Sequence, residues 1–117
     1  MNLTIKGTRY EPTPDIIEQA NRQIERIAKM LPDTALAHLD LELAVGNQNA
    51  GDIWRAVLTV TSDGTYRAES TKAKLDHAVT TVMRDVAREV SRAKGKGKSL
   101  LHRSGNAFKN LLRGFDR

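Results

Sequence analysis

The sequence predicts an α+β fold in which a four-stranded sheet carries two helices packed on one face. Four segments alternate between apolar and polar residues as strands do, and two segments have helical periodicity. The segments follow one another in the order β-α-β-β-β-α, and each helical segment has one apolar stripe that must be buried against another element. A chain of 117 residues is long enough for one domain with a modest core.

The first strand and the first helix lie at the start of the chain. Residues 1–7 alternate between polar and apolar side chains, which is typical of a strand with one buried face. Thr13 suits the N-cap of a helix, Pro14 its first position, and Asp15 the positive end of its dipole. The apolar residues that recur with helical spacing, and that we expect in the core, are Ile17, Ala20, Ile24, Ile27, Ala28 and Leu31.

The next three strands are predicted to form a meander. Apolar residues alternate with others over 39–45, and a further strand covers 53–61. Asp63-Gly64 is a strong hairpin signal, and residues 66–70 complete the hairpin. Because a helix separates the first two strands, we expect those two to run parallel, joined by a right-handed crossover.

The second helix begins near Thr71 in this interpretation and has one apolar and one cationic side. At 100° per residue, the apolar side comprises Leu75, Val79, Val82, Val86, Val90 and Ala93. The opposite side comprises Lys74, Arg84, Arg88 and Arg92, with His77 among them. Asp85 and Glu89 flank this stripe. The apolar side indicates a packed domain, and the cationic side indicates an anionic partner.

Positive charge is concentrated in the second part of the chain. Residues 1–71 carry 7 Lys and Arg against 10 Asp and Glu, whereas residues 72–117 carry 12 against 4. The two net charges, −3 and +8, sum to the +5 of the whole chain. This asymmetry favours a binding site for a polyanion, although a solvated helix face with a disordered basic tail would have the same composition.

The cationic stripe suits a nucleic-acid backbone. Residues four apart on a helix lie about 6 Å apart along its axis, which is comparable to the spacing of successive phosphates. Arg can bind a phosphate through two parallel hydrogen bonds, and Lys96 and Lys98 would extend the stripe. Aromatic residues make up only 4% of the chain, which argues against base stacking on single strands. Structured RNA, bound through its backbone and shape, fits better, but the residues alone do not distinguish RNA from DNA.

Residues 95–117 differ in character from the domain that we predict over residues 1–94. The run 94–98, Lys-Gly-Lys-Gly-Lys, is too rich in glycine for a stable helix, so we expect a basic tail that is flexible or forms a short helix. Apolar residues with helical spacing follow at Phe108, Leu111, Leu112 and Phe115. Docking of this tail on a membrane or a protein partner is therefore one alternative function.

The sequence has no pattern that is typical of an enzyme. His38, His77 and His102 lack metal-ligand spacing, and neither a nucleophile elbow nor a Walker pattern is present. There is no cysteine, which excludes disulfides and thiolate chemistry. We expect a non-enzymatic, cytoplasmic protein without a cofactor, a metal, a small-molecule substrate or a membrane partner.

Several of these features resemble the ribosome hibernation-promoting factor family, which includes the ribosome-associated inhibitor A type. They are the element order, the opening run 2–7 (Asn-Leu-Thr-Ile-Lys-Gly), the Thr13-Pro14 helix start and the basic end of the second helix. The resemblance covers about residues 1–98. The family's second helix usually opens with Asp-hydrophobic-Tyr-x-Ala-Ile-Asp. Here Leu75, Ala78 and Val79 keep the packing positions. Lys74 and Thr80 replace the two acids, and Asp76 replaces the tyrosine.

The resemblance implies a fold similar to double-stranded-RNA-binding domains and binding to the small ribosomal subunit near the decoding centre. Bound in the tRNA–mRNA channel, such a protein blocks translation and preserves idle ribosomes. By position, the basic end of the family's helix corresponds to Arg84, Arg88, Arg92, Lys94, Lys96 and Lys98. We expect the short form, which lacks a C-terminal dimerisation domain and is monomeric away from the ribosome. A general structured-RNA-binding module, acting for example in ribosome assembly, is the alternative.

Overall fold

The computed structural model describes residues 1–44 and 51–104, with the side chains of 96–104 outside the description. The elements are β1 (Asn2–Thr8), α1 (Pro14–Ala28), β2 (Leu36–Ala44), β3 (Ile53–Thr61), β4 (Thr65–Lys72) and α2 (Leu75–Ser104). The strands form one sheet in the order β1-β2-β3-β4. β1 runs parallel to β2, and the other neighbours are antiparallel. The predicted α+β class, element order and parallel first pair are confirmed.

The core lies between the two helices and one face of the sheet. The strand residues buried there include Ala37, Leu39, Leu41, Ala56, Leu58 and Val60. The helix residues are Ile16, Ala20, Ile24, Ile27, Leu75, Ala78, Val79, Val82, Met83, Val86, Ala87 and Val90. Side chains that alternate with the buried strand residues point to the other face, which we call the open face. The outward surfaces of α1 and α2 form what we call the helical face.

α1 begins as the sequence predicts, but its buried stripe is shifted. The side-chain oxygen of Thr13 accepts a hydrogen bond from the backbone N–H of Ile16 at 3.3 Å, and Pro14 begins the helix. The prediction that Ile17 faces the core is wrong, because its exposed fraction is 39% and Ile16 is buried instead. The buried residues at positions 16, 20, 24 and 27 lie on the side of α1 that packs on the sheet, and position 17 lies beside that side.

The turn between β1 and α1 folds tightly over Gly7. A Cβ atom at Gly7 would collide with the backbone carbonyl oxygen of Tyr10, so a larger residue would force this turn to move. The Tyr10 ring packs edge-to-face on Trp54, with 4.9 Å between ring centroids, and its hydroxyl accepts from the backbone N–H of Thr13 at 3.3 Å. This turn places Arg9, which has a φ of 55°, beside the open face.

α2 differs from its prediction at both ends. β4 continues to Lys72, so α2 begins at Leu75 rather than near Thr71. At the other end the helix passes through Gly95 and Gly97 to Ser104, whereas we predicted that it would end near Ala93. Each glycine costs about 1 kcal/mol relative to alanine, which weakens a helix without forbidding it. With 30 residues, α2 is about 45 Å long.

The end of α2 projects from the domain. Val90 is buried, whereas residues 91–95 are all exposed. Ala93 has the right angular position for the core, but it is exposed because the helix has left the sheet by that point, so its predicted burial is wrong. Division of the chain into residues 1–94 and 95–117 stays a prediction, and the apolar set at 108–115 lies outside the described residues.

Candidate nucleic-acid interface

The cationic side of α2 lies opposite its buried side. Arg84, Arg88 and Arg92 are exposed and succeed one another every four residues, about 6 Å apart along the axis. The structure therefore places these three on one continuous surface. Lys74 lies just before α2, where its carbonyl oxygen accepts from the N–H of Ala78 at 3.1 Å. It stands about 27 Å along the axis from Arg92.

The remaining predicted cations lie beyond the packed part of α2. Lys94 is exposed, but it follows Arg92 by two residues and so points to a different side of the helix. The backbone of α2 includes Lys96 and Lys98, whose side chains lie outside the description. The predicted site is thus one row of arginines with lysines before and after it.

The arginines of this row are weakly paired. The Nε atom of Arg84 lies 3.7 Å from Oδ1 of Asp85, and both side chains are exposed. Such long surface contacts contribute little. For Arg88 and Arg92, no carboxylate within residues 1–44 and 51–104 lies within 4 Å. A phosphate can therefore bind these guanidinium groups without first breaking a strong ion pair.

α1 supplies cations to this surface that the sequence analysis missed. Arg22 and Arg26 line a groove of about 230 Å³ between the helices, together with Arg84. Arg22 lies four residues after Glu18 on α1, and the charged atoms of the two side chains are 3.7 Å apart on the surface. The i,i+4 spacing of Arg22 and Arg26 could have indicated a second basic row. Only the packing of α1 beside α2, however, brings that row next to Arg84.

Three polar side chains join the helices beside this groove, and we call Gln19, Gln23 and Thr80 the interhelical clasp. Nε2 of Gln19 donates to the carbonyl oxygen of Asp76 at 2.9 Å and to Oγ1 of Thr80 at 3.0 Å. Nε2 of Gln23 donates to the same Oγ1 atom at 3.0 Å. A hydroxyl oxygen has two lone pairs, and the clasp uses both.

The open face carries a chain of paired charges. Its ion pairs are Arg9–Glu42 at 3.0 Å, Arg55–Glu42 at 3.3 Å, Arg55–Glu69 at 2.6 Å and Arg67–Glu69 at 3.3 Å. The hydrogen bond from Arg9 is the largest cause that lowers the pKa of Glu42, and Arg55 does the same for Glu69. The bond to Glu69 raises the pKa of Arg55. The arginines of this face are therefore already engaged.

The described part of the chain contains no group of three or more His, Asp or Glu side chains that could hold a metal ion. His38 lies on the open face, where Nε2 is 3.1 Å from Oδ1 of Asp40, and His77 is exposed on α2. Among the helices that the structure describes, none is both long and apolar enough to cross a membrane.

Solved structures of two proteins are similar to this fold. The N-terminal domain of Thermus thermophilus Protein Y matches with a TM-score of 0.68 at 24% identity, covering 79% of this chain and 98% of that chain. A ribosomal subunit interface protein from Coxiella burnetii matches with a TM-score of 0.62 at 16% identity, covering 81% and 99%. At these identities the likeness concerns the fold. A search of curated proteins found no significant match.

A family model described as sigma 54 modulation protein / S30EA ribosomal protein matches residues 3–98. The match includes nearly all of β1, the whole of α1, β2, β3 and β4, and α2 as far as Lys98. It agrees with the range over which the sequence resembles the hibernation-promoting factor family, and that resemblance is confirmed. The chain therefore belongs to the sigma 54 modulation protein / S30EA ribosomal protein family.

Proposed function

We propose that this protein is a ribosome-binding translation inhibitor of the hibernation type, and that it occupies the tRNA–mRNA channel of the small ribosomal subunit. One observation carries the proposal: a row of exposed, weakly paired arginines on α2, in a chain whose family is described as ribosomal. The similar Coxiella burnetii structure is described as a ribosomal subunit interface protein, which supports a location between the subunits.

The proposed RNA-binding residues are those predicted from the sequence. They are Lys74, Arg84, Arg88, Arg92, Lys94, Lys96 and Lys98. Structured RNA is recognised mainly through its backbone and shape, and guanidinium groups bind phosphate without reading a base. Arg84 and Arg88 lie on the part of α2 whose other side is buried, so the protein presents these two arginines on a firm surface.

The proposed mechanism is occlusion. A folded domain that fills the channel excludes tRNA and message by its volume, so inhibition requires no chemical step. α2 continues from Val90, the last residue of the helix described as buried, to Ser104, which is about 21 Å along the helix axis. This basic projection is slender enough to reach further along the channel than the domain itself.

Competition on purified small subunits tests this function. We expect the protein to co-sediment with small subunits at low salt, and excess tRNA with message to displace it. Simultaneous binding of protein and tRNA to the same subunit would contradict the channel location. Binding to free structured RNA, without preference for small subunits, would favour the general RNA-binding module instead.

A further inference from the structure

We propose that the groove between α1 and α2 is a phosphate site, in which Arg26 of α1 and Arg84 of α2 bind the same RNA phosphate. We further propose that the interhelical clasp sets the distance between these two arginines. The inference rests on the proposed function, which involves cations of α2, and it adds a second helix to the binding surface.

The dimensions of the groove suit such a ligand. Its volume of about 230 Å³ leaves room for a phosphate group and part of its hydration shell. Met83 is the apolar residue of the lining, and it is buried, with an exposed fraction of 4%. The other lining residues are Arg22, Gln23, Arg26, Thr80 and Arg84. Three of the six are therefore cationic, and none is acidic.

The charges of the groove favour an anion. Arg22 and Arg84 each have one carboxylate at 3.7 Å, on exposed side chains. Arg26 has no carboxylate within 4 Å in the described part of the chain. Arginines on opposite walls repel one another when the groove is empty, and a bound phosphate relieves that repulsion. Each guanidinium group can donate two hydrogen bonds to a phosphate, whose oxygens can accept from both walls.

The clasp maintains this arrangement without adding charge. Gln19 and Gln23 donate to Thr80 from α1, which fixes one helix against the other beside the groove. Thr80 itself lines the groove, so the acceptor that joins the helices lies close to the proposed phosphate. The hydroxyl of Thr80 accepts hydrogen bonds from both side-chain amides. Because it is neutral, it leaves the electrostatic potential of the groove positive. We therefore regard Thr80 as a positioning residue.

A double-mutant cycle tests whether the two arginines share one phosphate. Arg26→Gln and Arg84→Gln, made singly and together, are compared for affinity to purified small subunits at one low salt concentration. We expect each single change to weaken binding about threefold, and the double change to weaken it little further. The control pairs Arg26→Gln with Arg88→Gln, which lies outside the groove lining, and here we expect the losses to multiply.

Variants of Thr80 test the clasp. Thr80→Ser keeps the neutral acceptor and should bind like the wild type. Thr80→Val removes the acceptor, and Thr80→Asp keeps an acceptor but adds a negative charge, so both should weaken binding. The Asp variant should lose affinity while retaining the wild-type melting temperature, which separates an electrostatic effect from a loss of structure.

The possible failures are distinguishable. If the wild type does not bind small subunits, the proposed function is wrong. If the wild type binds but Arg26→Gln and Arg84→Gln have multiplicative effects, the arginines contact separate phosphates and the shared site is wrong. Wild-type affinity of Thr80→Val would overturn the role of the clasp, and wild-type affinity of Thr80→Asp would show that no phosphate binds beside Thr80.

Discussion

The helical face and the open face both carry arginines, but they differ in how those arginines are paired. On the open face, Arg9, Arg55 and Arg67 each lie within 3.3 Å of a carboxylate oxygen. On the helical face, the carboxylates nearest to Arg22 and Arg84 are 3.7 Å away. A phosphate on the open face would have to displace a carboxylate and would be repelled by it. Weak pairing of the cations, rather than their number, therefore marks the surface suited to an anion.

The close ion pairs of the open face and the weakly paired arginines of the helical face result from different placements of charge along the sequence. On the open face, Arg55 lies directly opposite Glu42 in the β2–β3 register, and opposite charges on neighbouring strands stabilise the sheet. On α2, Arg84, Arg88 and Arg92 follow one another at i,i+4, a spacing at which like charges destabilise a helix slightly. The arrangement on α2 thus has a small cost in folding, which is consistent with a role in binding.

The largest effect should come from damage to the core that both faces share. Val86 is fully buried in α2, and Val86→Asp would place an unpaired carboxylate there. We expect the cooperative thermal transition, measured by circular dichroism, and binding to small subunits to be lost together. Ser91→Asp, which adds the same carboxylate at an exposed position of α2, should keep its transition. Survival of a cooperative transition in Val86→Asp would contradict the placement of this core.

The next largest effect concerns the helical face. Changing Arg84, Arg88 and Arg92 together to Gln keeps helix propensity nearly constant and removes like-charge repulsion. We expect a melting temperature near that of the wild type and an affinity for small subunits lower by about tenfold or more. Translation assays in vitro give a second readout. Inhibition at wild-type concentrations would mean that this face is not the binding surface.

The matched change on the open face should have a smaller effect on binding. Changing Arg9, Arg55 and Arg67 to Gln removes the same three charges, so the net charge falls from +5 to +2 in both triple variants. We expect affinity close to the wild type and a slightly lower melting temperature, because Glu42 and Glu69 lose their partners. Equal losses of affinity in the two variants would indicate a general charge effect.

Acid should weaken the open face selectively. The folded protein holds the pKa values of Glu42 and Glu69 below their ordinary value of 4.5. Their pairs therefore contribute stability at neutral pH that is lost as pH falls below about 4.5 towards the lowered values. Melting temperatures measured from pH 7 to pH 3 should fall less steeply in the open-face triple variant than in the wild type. Parallel curves would show that these pairs do not contribute.

The smallest effect on stability should follow removal of residues 99–117. The last buried residue described in α2 is Val90, and residues 91–95 are already exposed. We expect a melting temperature within the experimental error of the wild-type value, with weaker binding because Lys109 and Arg113 are lost. A large drop in melting temperature would place the apolar residues of 108–115 in the core.

Features that depend on local alternation could be predicted from the sequence. The strands, the hairpin near Asp63-Gly64 and the core positions of α2 up to Val90 follow from side-chain periodicity. Ala93 shows where periodicity stops being sufficient: its angle is right for the core, but the length of the sheet decides whether anything lies beneath it.

Features that depend on neighbours in space could not be predicted. Arg26 joins the basic surface because α1 packs beside α2. Thr80 joins the clasp because two amides from another helix reach its hydroxyl. Arg55 is neutralised because the sheet register places Glu42 opposite and Glu69 within reach. Sequence spacing identifies charges along one element, and only the fold identifies charges that meet across elements.

The most direct test of this account is the salt dependence of binding to small subunits, measured for the wild type and both triple variants. The logarithm of affinity should fall linearly with the logarithm of salt concentration, with a slope of about −0.7 to −0.9 per phosphate contact. We predict a slope shallower by about 2–3 for the helical-face triple variant, and a slope parallel to the wild type for the open-face triple variant. Equal slopes in the two triple variants would contradict the claim that the weakly paired cations of the helical face bind RNA.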